Sequence, residues 1–322
     1  MKIAFASCMC FQVFPQQPVW DWIAAHNPDQ LVLLGDSIYL DINSPGGHPR
    51  DMLADQFAQH LFQRYTAQMA QPQFARLVQN MPRESVTSVW DDHDFLWDDM
   101  VGAEAQANPV QRDKLPLTTA FQEAFRGALA AGLSPGSFPA VYNDAVFWQP
   151  LQPVLATPSV QIAPDVWLHL SDVRTHRTRV AFVPESKRTM LGALQRSQLG
   201  AAIQAAPSAI HLLASGSTVS SYKRFPADWS WLNNLAATHK MLVLSGDIHR
   251  NESDAFFTAG WPLHEATSSG AAVKDAVVLG ERRRNYGILE IDTNQAAFKL
   301  YTNNAASQKW SRTIARASWL PV

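Results

Sequence analysis

Cysteine is almost absent from this 322-residue chain. The two present, Cys8 and Cys10, stand one residue apart, a spacing at which a disulfide is geometrically awkward, so no disulfide framework is implied. Charge is also scarce: Asp, Glu, Lys and Arg make up 17%, below the roughly 25% usual in soluble proteins. That argues against extensive disorder and long charged helices. The net charge of −2 gives no electrostatic basis for a nucleic-acid scaffold or a polybasic membrane contact. No apolar run approaches the ~20 residues of a membrane span. The opening Met1–Cys8 has a single positive charge and too short an apolar run for a signal peptide, and reads as a first strand. Linkers, low-complexity tracts and tandem repeats are missing as well. The expectation is one domain over residues 1–322, soluble and cytoplasmic.

What is abundant is core material: 47% of residues are hydrophobic, with 16 Phe and 11 Trp. A helix is expected from Pro18, with Val19, Trp22 and Ile23 at helical spacing. Leu31–Leu34 reads as a strand buried on both faces, ending in Gly35-Asp36. Asp51 is placed to cap a long helix reaching about Ala70, with Phe57, Leu61 and Tyr65 on one side. Ser85–Trp90 is a third strand, running into Asp91-Asp92-His93-Asp94. Residues 95–115 look polar and irregular, a lid or rim, before a helix from Pro116 to Ala131. Strands are then expected at Ala145–Trp148, Val160–Ile162, Val166–Leu170, Ala209–Ser215 and Met241–Ser245, with helices at Leu194–Ala205 and from Asp228. A hairpin, Tyr286–Asp292 with Ala297–Tyr301, closes the pattern. Early alternation of strand and helix with strands dominating late fits an α/β fold with more than one sheet layer.

Chemistry-bearing residues concentrate after the apolar strands: Cys8, Asp36 with Tyr39, Asp91-Asp92-His93, and Asp247 with His249. Alone, each has an ordinary reading. A strand ending in Gly-Asp is common, a buried Cys or His is usually core, and an acidic run is as readily a solvated loop as a site. Strands ending at one edge would bring all four groups together. Packed carboxylates stay ionised together only around a positive partner, usually a metal. Thiolate, phenolate, carboxylate and imidazole suit an ion such as ferric iron, and the spare carboxylates suit a second, harder divalent ion. Two ions about 3.5–4 Å apart can hold a phosphate between them, with one aspartate shared.

Ser7-Cys8, Gly35-Asp36-x-x-Tyr39-x-Asp41, Trp90-Asp91-Asp92-His93-Asp94, Asp172-x-Arg174-x-x-Arg177 and Ser245-Gly246-Asp247-x-His249 resemble, in this order, the motifs of the PhoD-like alkaline phosphatases of the calcineurin-like metallophosphatase superfamily. The resemblance spans residue 7 to about 270. It implies a four-layer αββα sandwich of two mixed β-sheets flanked by helices. It also implies a dinuclear phosphomonoesterase or phosphodiesterase acting on small phosphorylated substrates through a metal-activated hydroxide. The ions implied are Fe3+ plus Ca2+, with Mn2+, Zn2+ or Mg2+ as alternatives. Carried over, Cys8 and Tyr39 bind iron, Asp36 bridges, Asp92 binds the second ion, and Asp247 and His249 complete the two shells. His93 stands beside the leaving group, and Arg174 clamps phosphate oxygens.

The chain departs from the pattern in three places. Its opening residues read as the first catalytic strand, so the export signal and accessory domain of secreted relatives are expected to be missing. No extended C-terminal lid follows the hairpin. Leu96-Trp97-Asp98-Asp99 stands where many relatives have an Asn. This last departure motivates the competing reading, a degenerate protein that binds phosphorylated ligands or metal without turnover. Elsewhere, Glu281–Arg284 is expected to be a solvated loop, Trp229 and Trp231 core or pocket wall, and His264 or Glu265 either a support behind the site or without a role there.

Overall fold

The computed structural model describes residues 1–143, 158–181, 183–276, 279–303 and 308–322. The strand expected at Ala145–Trp148 lies outside them. The chain first lays down three parallel strands, β1 (Lys2–Ala6), β2 (Gln30–Leu34) and β3 (Val86–Val89). It then builds a second sheet from β4 (Ser159–Ala163), β5 (Val166–Leu170), β6 (Ile210–Ser215), β7 (Lys240–Ser245), β8 (Asn251–Phe256) and β9 (Leu263–Ser268). A short ribbon, β10 (Val273–Lys274) with β11 (Arg282–Arg283), leads back to the first sheet, completed by β12 (Asn285–Ile291), β13 (Gln295–Thr302) and β14 (Gln308–Ala315). The two six-stranded orders are β14-β13-β12-β1-β2-β3 and β4-β5-β6-β7-β9-β8. Both sheets are mixed: β1–β2–β3 and β5–β6–β7–β9 are parallel, and the outer strands are antiparallel.

Side-chain alternation explains the layering. On β1, Ile3 and Phe5 point between the sheets, while Ala4 and Ala6 face helices. Val32 and Leu34 on β2, and Leu242 and Leu244 on β7, join the inter-sheet core. Leu31 and Leu33 turn to one helical layer, Met241 and Val243 to the other. Three apolar cores therefore separate four layers, and central strands such as β2 and β7 carry continuous apolar runs, Leu31–Leu34 and Met241–Leu244, because both faces are covered. One outer layer holds the helices Val19–Ala24, Ala54–Met69, Pro72–Asn80 and Leu115–Ala130; the other holds Ala193–Gln204 and Pro226–Thr238. This is the two-sheet, helix-flanked sandwich expected from the resemblance. Among the described residues, no helix is long and apolar enough to cross a membrane.

Four local expectations need correction. Asp51 does not cap the long helix: Pro49–Asp51 forms a 3-10 turn, and the helix starts at Ala54, where the Gln56 side chain accepts the Leu53 N–H at 3.2 Å. Residues 95–115 are not irregular. They carry short helices at Gly102–Ala107 and Pro109–Arg112, the second capped by Asn108, whose Oδ1 accepts the N–H groups of Val110 and Gln111. Strands β8, β9 and β14, and the short β10 and β11, fall outside the expected set. Glu281–Arg284 is more than a solvated loop, since Arg283 pairs with Asp275 and Glu281, and Arg282 lies over the Phe14 ring.

Candidate metal centre

The parallel strands β1, β2 and β3 end at one edge, and β7 of the other sheet ends against them. Glycine permits the approach. A side chain at Gly35 would come within 2.8 Å of Asp91, and one at Gly246 within 2.5 Å of the Leu34 carbonyl and 2.7 Å of Ser7 Oγ. Just beyond, Cys8, Asp36, Asp247 and His249 all adopt left-handed backbones, with φ of 61°, 51°, 78° and 52°. Non-glycine residues avoid this region, and a cluster of them marks a place where the fold holds strain for a purpose other than stability.

Two groups of donor atoms result, each within 4.8 Å of one another: Cys8, Asp36 and His249, and Asp36, Asp92 and His93. Asp36 belongs to both. Its Oδ2 accepts the Cys8 thiol at 3.3 Å and the Tyr39 hydroxyl at 3.4 Å, and its Oδ1 accepts the His93 N–H at 3.3 Å. Tyr39 OH also lies 3.4 Å from His249 Nε2. His249 Nδ1 is taken by the Asp275 carbonyl at 2.9 Å, which turns Nε2 inward as a ligating imidazole requires. Asp247 is part-buried beside these groups, and its charge acts on Cys8 and Arg174, though it joins neither group of three.

The site is too negative and too dry to stand alone. Burial and the neighbouring Cys8 raise Asp36 well above the carboxylate range, and burial with Cys8 and Asp36 does the same to Tyr39. Asp247 is pushed up to about 7 by loss of solvent and by Asp91 and Asp92, and the Cys8 thiol to about 11 by burial. Asp91 Oδ2 is buried with no hydrogen-bond partner among the described residues. A bound cation would reverse these shifts, favouring thiolate, phenolate and carboxylate together. The residues therefore fit a metal pair.

His93 differs from the other residues. Burial opposes its charge, but Asp36, the Asp41 hydrogen bond and Asp92 outweigh that and raise it to about 10. Its Nδ1 donates to Asp41 Oδ1 at 2.7 Å, and its Nε2 faces Asp98 Oδ1 at 3.8 Å. Asp41 also accepts the Asp98 N–H at 2.9 Å, and Asp92 accepts the Asp99 N–H at 2.6 Å. The divergent Asp98-Asp99 segment thus supports the two acidic residues through its backbone.

Arg174, expected to clamp phosphate, is buried and directed at carboxylates. Its Nε donates to Asp91 Oδ1 at 2.5 Å, and Nη2 lies 3.5 Å from Asp92 Oδ1. Asp172 organises this loop by accepting from the Trp90 indole at 2.8 Å and from the Arg174 and Thr175 N–H groups at 2.9 Å each. Behind the site, Glu265 accepts from Ser245 Oγ at 2.7 Å and from the Val219 N–H at 2.7 Å, whereas His264 reaches the Trp319 carbonyl, away from the donors. Sequence reasoning assigned no role to Asp41, to buried Arg177, which donates to Ser217 Oγ at 3.0 Å, or to Ser269, whose Oγ lies 3.2 Å from Cys8 Sγ and accepts the His249 N–H at 2.9 Å. Asp41 had a signal, its place in the Gly35–Asp41 motif. Ser269 had only its place after a strand.

The two-sheet sandwich, with its candidate donors at the converging strand ends, has the metallophosphatase fold. Among solved structures, PhoD aligns with a TM-score of 0.67 and 16% identity, covering 100% of this chain and 71% of PhoD. A Vps29 variant from Entamoeba histolytica aligns at TM-score 0.36 and 10% identity, covering 98% of this chain and 99% of its own. A predicted phosphoesterase from Streptococcus pneumoniae aligns at 0.34 and 11%, covering 98% and 97%. No family model matches the sequence, and no curated protein matches it.

Proposed function

We propose that the chain is a metal-dependent phosphoester hydrolase with a dinuclear centre. The observation that carries this reading is the pair of donor groups sharing Asp36. Cys8, Tyr39 and His249 with Asp36 would hold one ion; Asp92 with Asp36 would hold the other, and Asp247 lies beside both. Thiolate and phenolate favour ferric iron at the first position, and the carboxylate-rich second position favours calcium or another hard divalent ion. Bound there, the two cations supply Lewis acidity to a phosphoryl group and lower the pKa of an adjacent water.

The remaining chemistry belongs to side chains. His93 is held by Asp41 on Nδ1 and presents Nε2, so it donates a proton to the leaving oxygen from that nitrogen. Arg174 offsets Asp91 and Asp92, which keeps the carboxylates ionised at one edge; its nearness to Asp92 also puts positive charge beside the phosphate position. The likeness of the fold to PhoD supports the same class of reaction. Folded protein is assayed with aryl phosphate mono- and diesters after loading with iron, calcium, manganese or zinc. Turnover that depends on metal is expected, and its absence with every metal contradicts the proposal.

A further inference from the structure

Ser269 is the first residue beyond β9, and it is fully buried. Its Oγ touches two members of the first donor group. It accepts the His249 N–H at 2.9 Å and lies 3.2 Å from Cys8 Sγ. These two residues come from different sheets: Cys8 follows β1, and His249 follows β7. Both hold left-handed backbones, with φ of 61° and 52°. One hydroxyl oxygen therefore spans two strained positions that no strand pairing joins.

The turn that carries Ser269 is strapped to the end of β1. The Gly270 and Ala271 N–H groups donate to the Ser7 carbonyl at 3.1 and 2.9 Å, and Asn285 Nδ2 donates to the Ser269 carbonyl at 2.6 Å. A hydroxyl has one proton and two lone pairs, which decides what Ser269 does there. A lone pair takes the His249 N–H, which leaves the proton for the Cys8 sulfur. Ser7 Oγ also lies near that sulfur, at 3.4 Å, but its proton goes to the Ser268 carbonyl at 3.3 Å. A ligating thiolate has no proton and can only accept, so Ser269 is the hydroxyl placed to donate to it.

We propose that Ser269 is a positioning residue for the first ion. It locks Cys8 and His249 to one another across the two sheets and donates a hydrogen bond to the Cys8 thiolate. The inference rests on the metal-centre reading and adds to it a residue that binds no metal itself. Such outer partners orient ligands and tune the metal they hold. A hydrogen bond also withdraws electron density from the sulfur, so it raises the energy of thiolate-to-metal charge transfer.

The test uses Co2+ alone, titrated into metal-free protein and followed by near-ultraviolet absorption. Wild type is expected to show a thiolate-to-cobalt band that Cys8→Ser abolishes. Ser269→Ala should move that band to lower energy and weaken Co2+ binding about tenfold or more. Ser269→Thr, which keeps the hydroxyl, should restore both. Ser7→Ala should leave the band energy in place, because the Ser7 proton is directed elsewhere. General loosening of the fold would weaken binding without moving the band. If Ser269→Ala does not fold, Ser269→Thr and Ser269→Val, equal in shape, make the same comparison. A band and affinity indifferent to Ser269, or a wild type without a Cys8-dependent band, overturns the proposal. Turnover plays no part in the readout. The predicted shift in a protein that hydrolyses nothing keeps Ser269 in its role and contradicts the hydrolase reading; an active hydrolase whose band ignores Ser269 does the reverse.

Discussion

The Nδ1 of His93 and Oδ1 of Asp41 lie 2.7 Å apart, both side chains almost fully buried. The pair links the ends of β2 and β3 and holds the imidazole with Nε2 facing Asp98. Asp41→Asn removes the charge while keeping the shape. It is expected to lower kcat by about 10²-fold with a small change in KM and unchanged metal content. A loss confined to KM would assign Asp41 to substrate binding instead.

Arg174 is the counter-charge of a buried carboxylate pair. Arg174→Ala leaves Asp91 uncompensated at full burial, and breaking a buried pair from one side costs about 3–5 kcal/mol. Denaturant unfolding should show a loss of that order, partly recovered by adding Asp91→Ala. Full stability in the single variant would mean that the pair contributes nothing to folding.

Acid should destabilise the second sheet through His169 and His211. Both are buried, His169 Nε2 lies 2.9 Å from His211 Nδ1, and His211 Nε2 donates to the Ala206 carbonyl at 3.0 Å, an arrangement of two neutral rings. Burial pushes His169 down to about 3 and His211 to about 4, from 6.5. Below pH 6.5 the unfolded chain therefore binds protons that the folded one refuses, so stability falls as pH drops towards 4. Each histidine contributes roughly 1.4 kcal/mol per pH unit in that window. Melting curves from pH 7 to 4 should show the slope, and His211→Asn should flatten it.

Tyr39 gives a spectroscopic test of the first ion. Its hydroxyl lies 3.4 Å from both Asp36 Oδ2 and His249 Nε2. A ferric ion there would take it as phenolate and colour the protein by charge transfer. Tyr39→Phe should abolish the visible band. A coloured variant with the same spectrum would remove Tyr39 from the donor set.

The strand ends were legible in the sequence because doubly buried strands leave continuous apolar runs: Leu31–Leu34 and Met241–Leu244 could hardly be anything else. The donors after them were legible as residue types, and their convergence followed from the parallel order. The edge strands β3 and β4 were legible, but β8 and β14 were not. β8 reads Asn-Glu-Ser-Asp-Ala-Phe, with little apolar signal because one face stays partly wet. The Arg174 geometry was hidden because spacing cannot say whether a guanidinium faces a ligand or a carboxylate 83 positions away.

The central claim is that Asp36 serves two ions at once, and metal stoichiometry tests it most directly. Elemental analysis of purified, reconstituted protein should give two ions per chain, one after His249→Ala, and fewer than one after Asp36→Asn. An Asp36→Asn protein that still holds two ions would contradict the account.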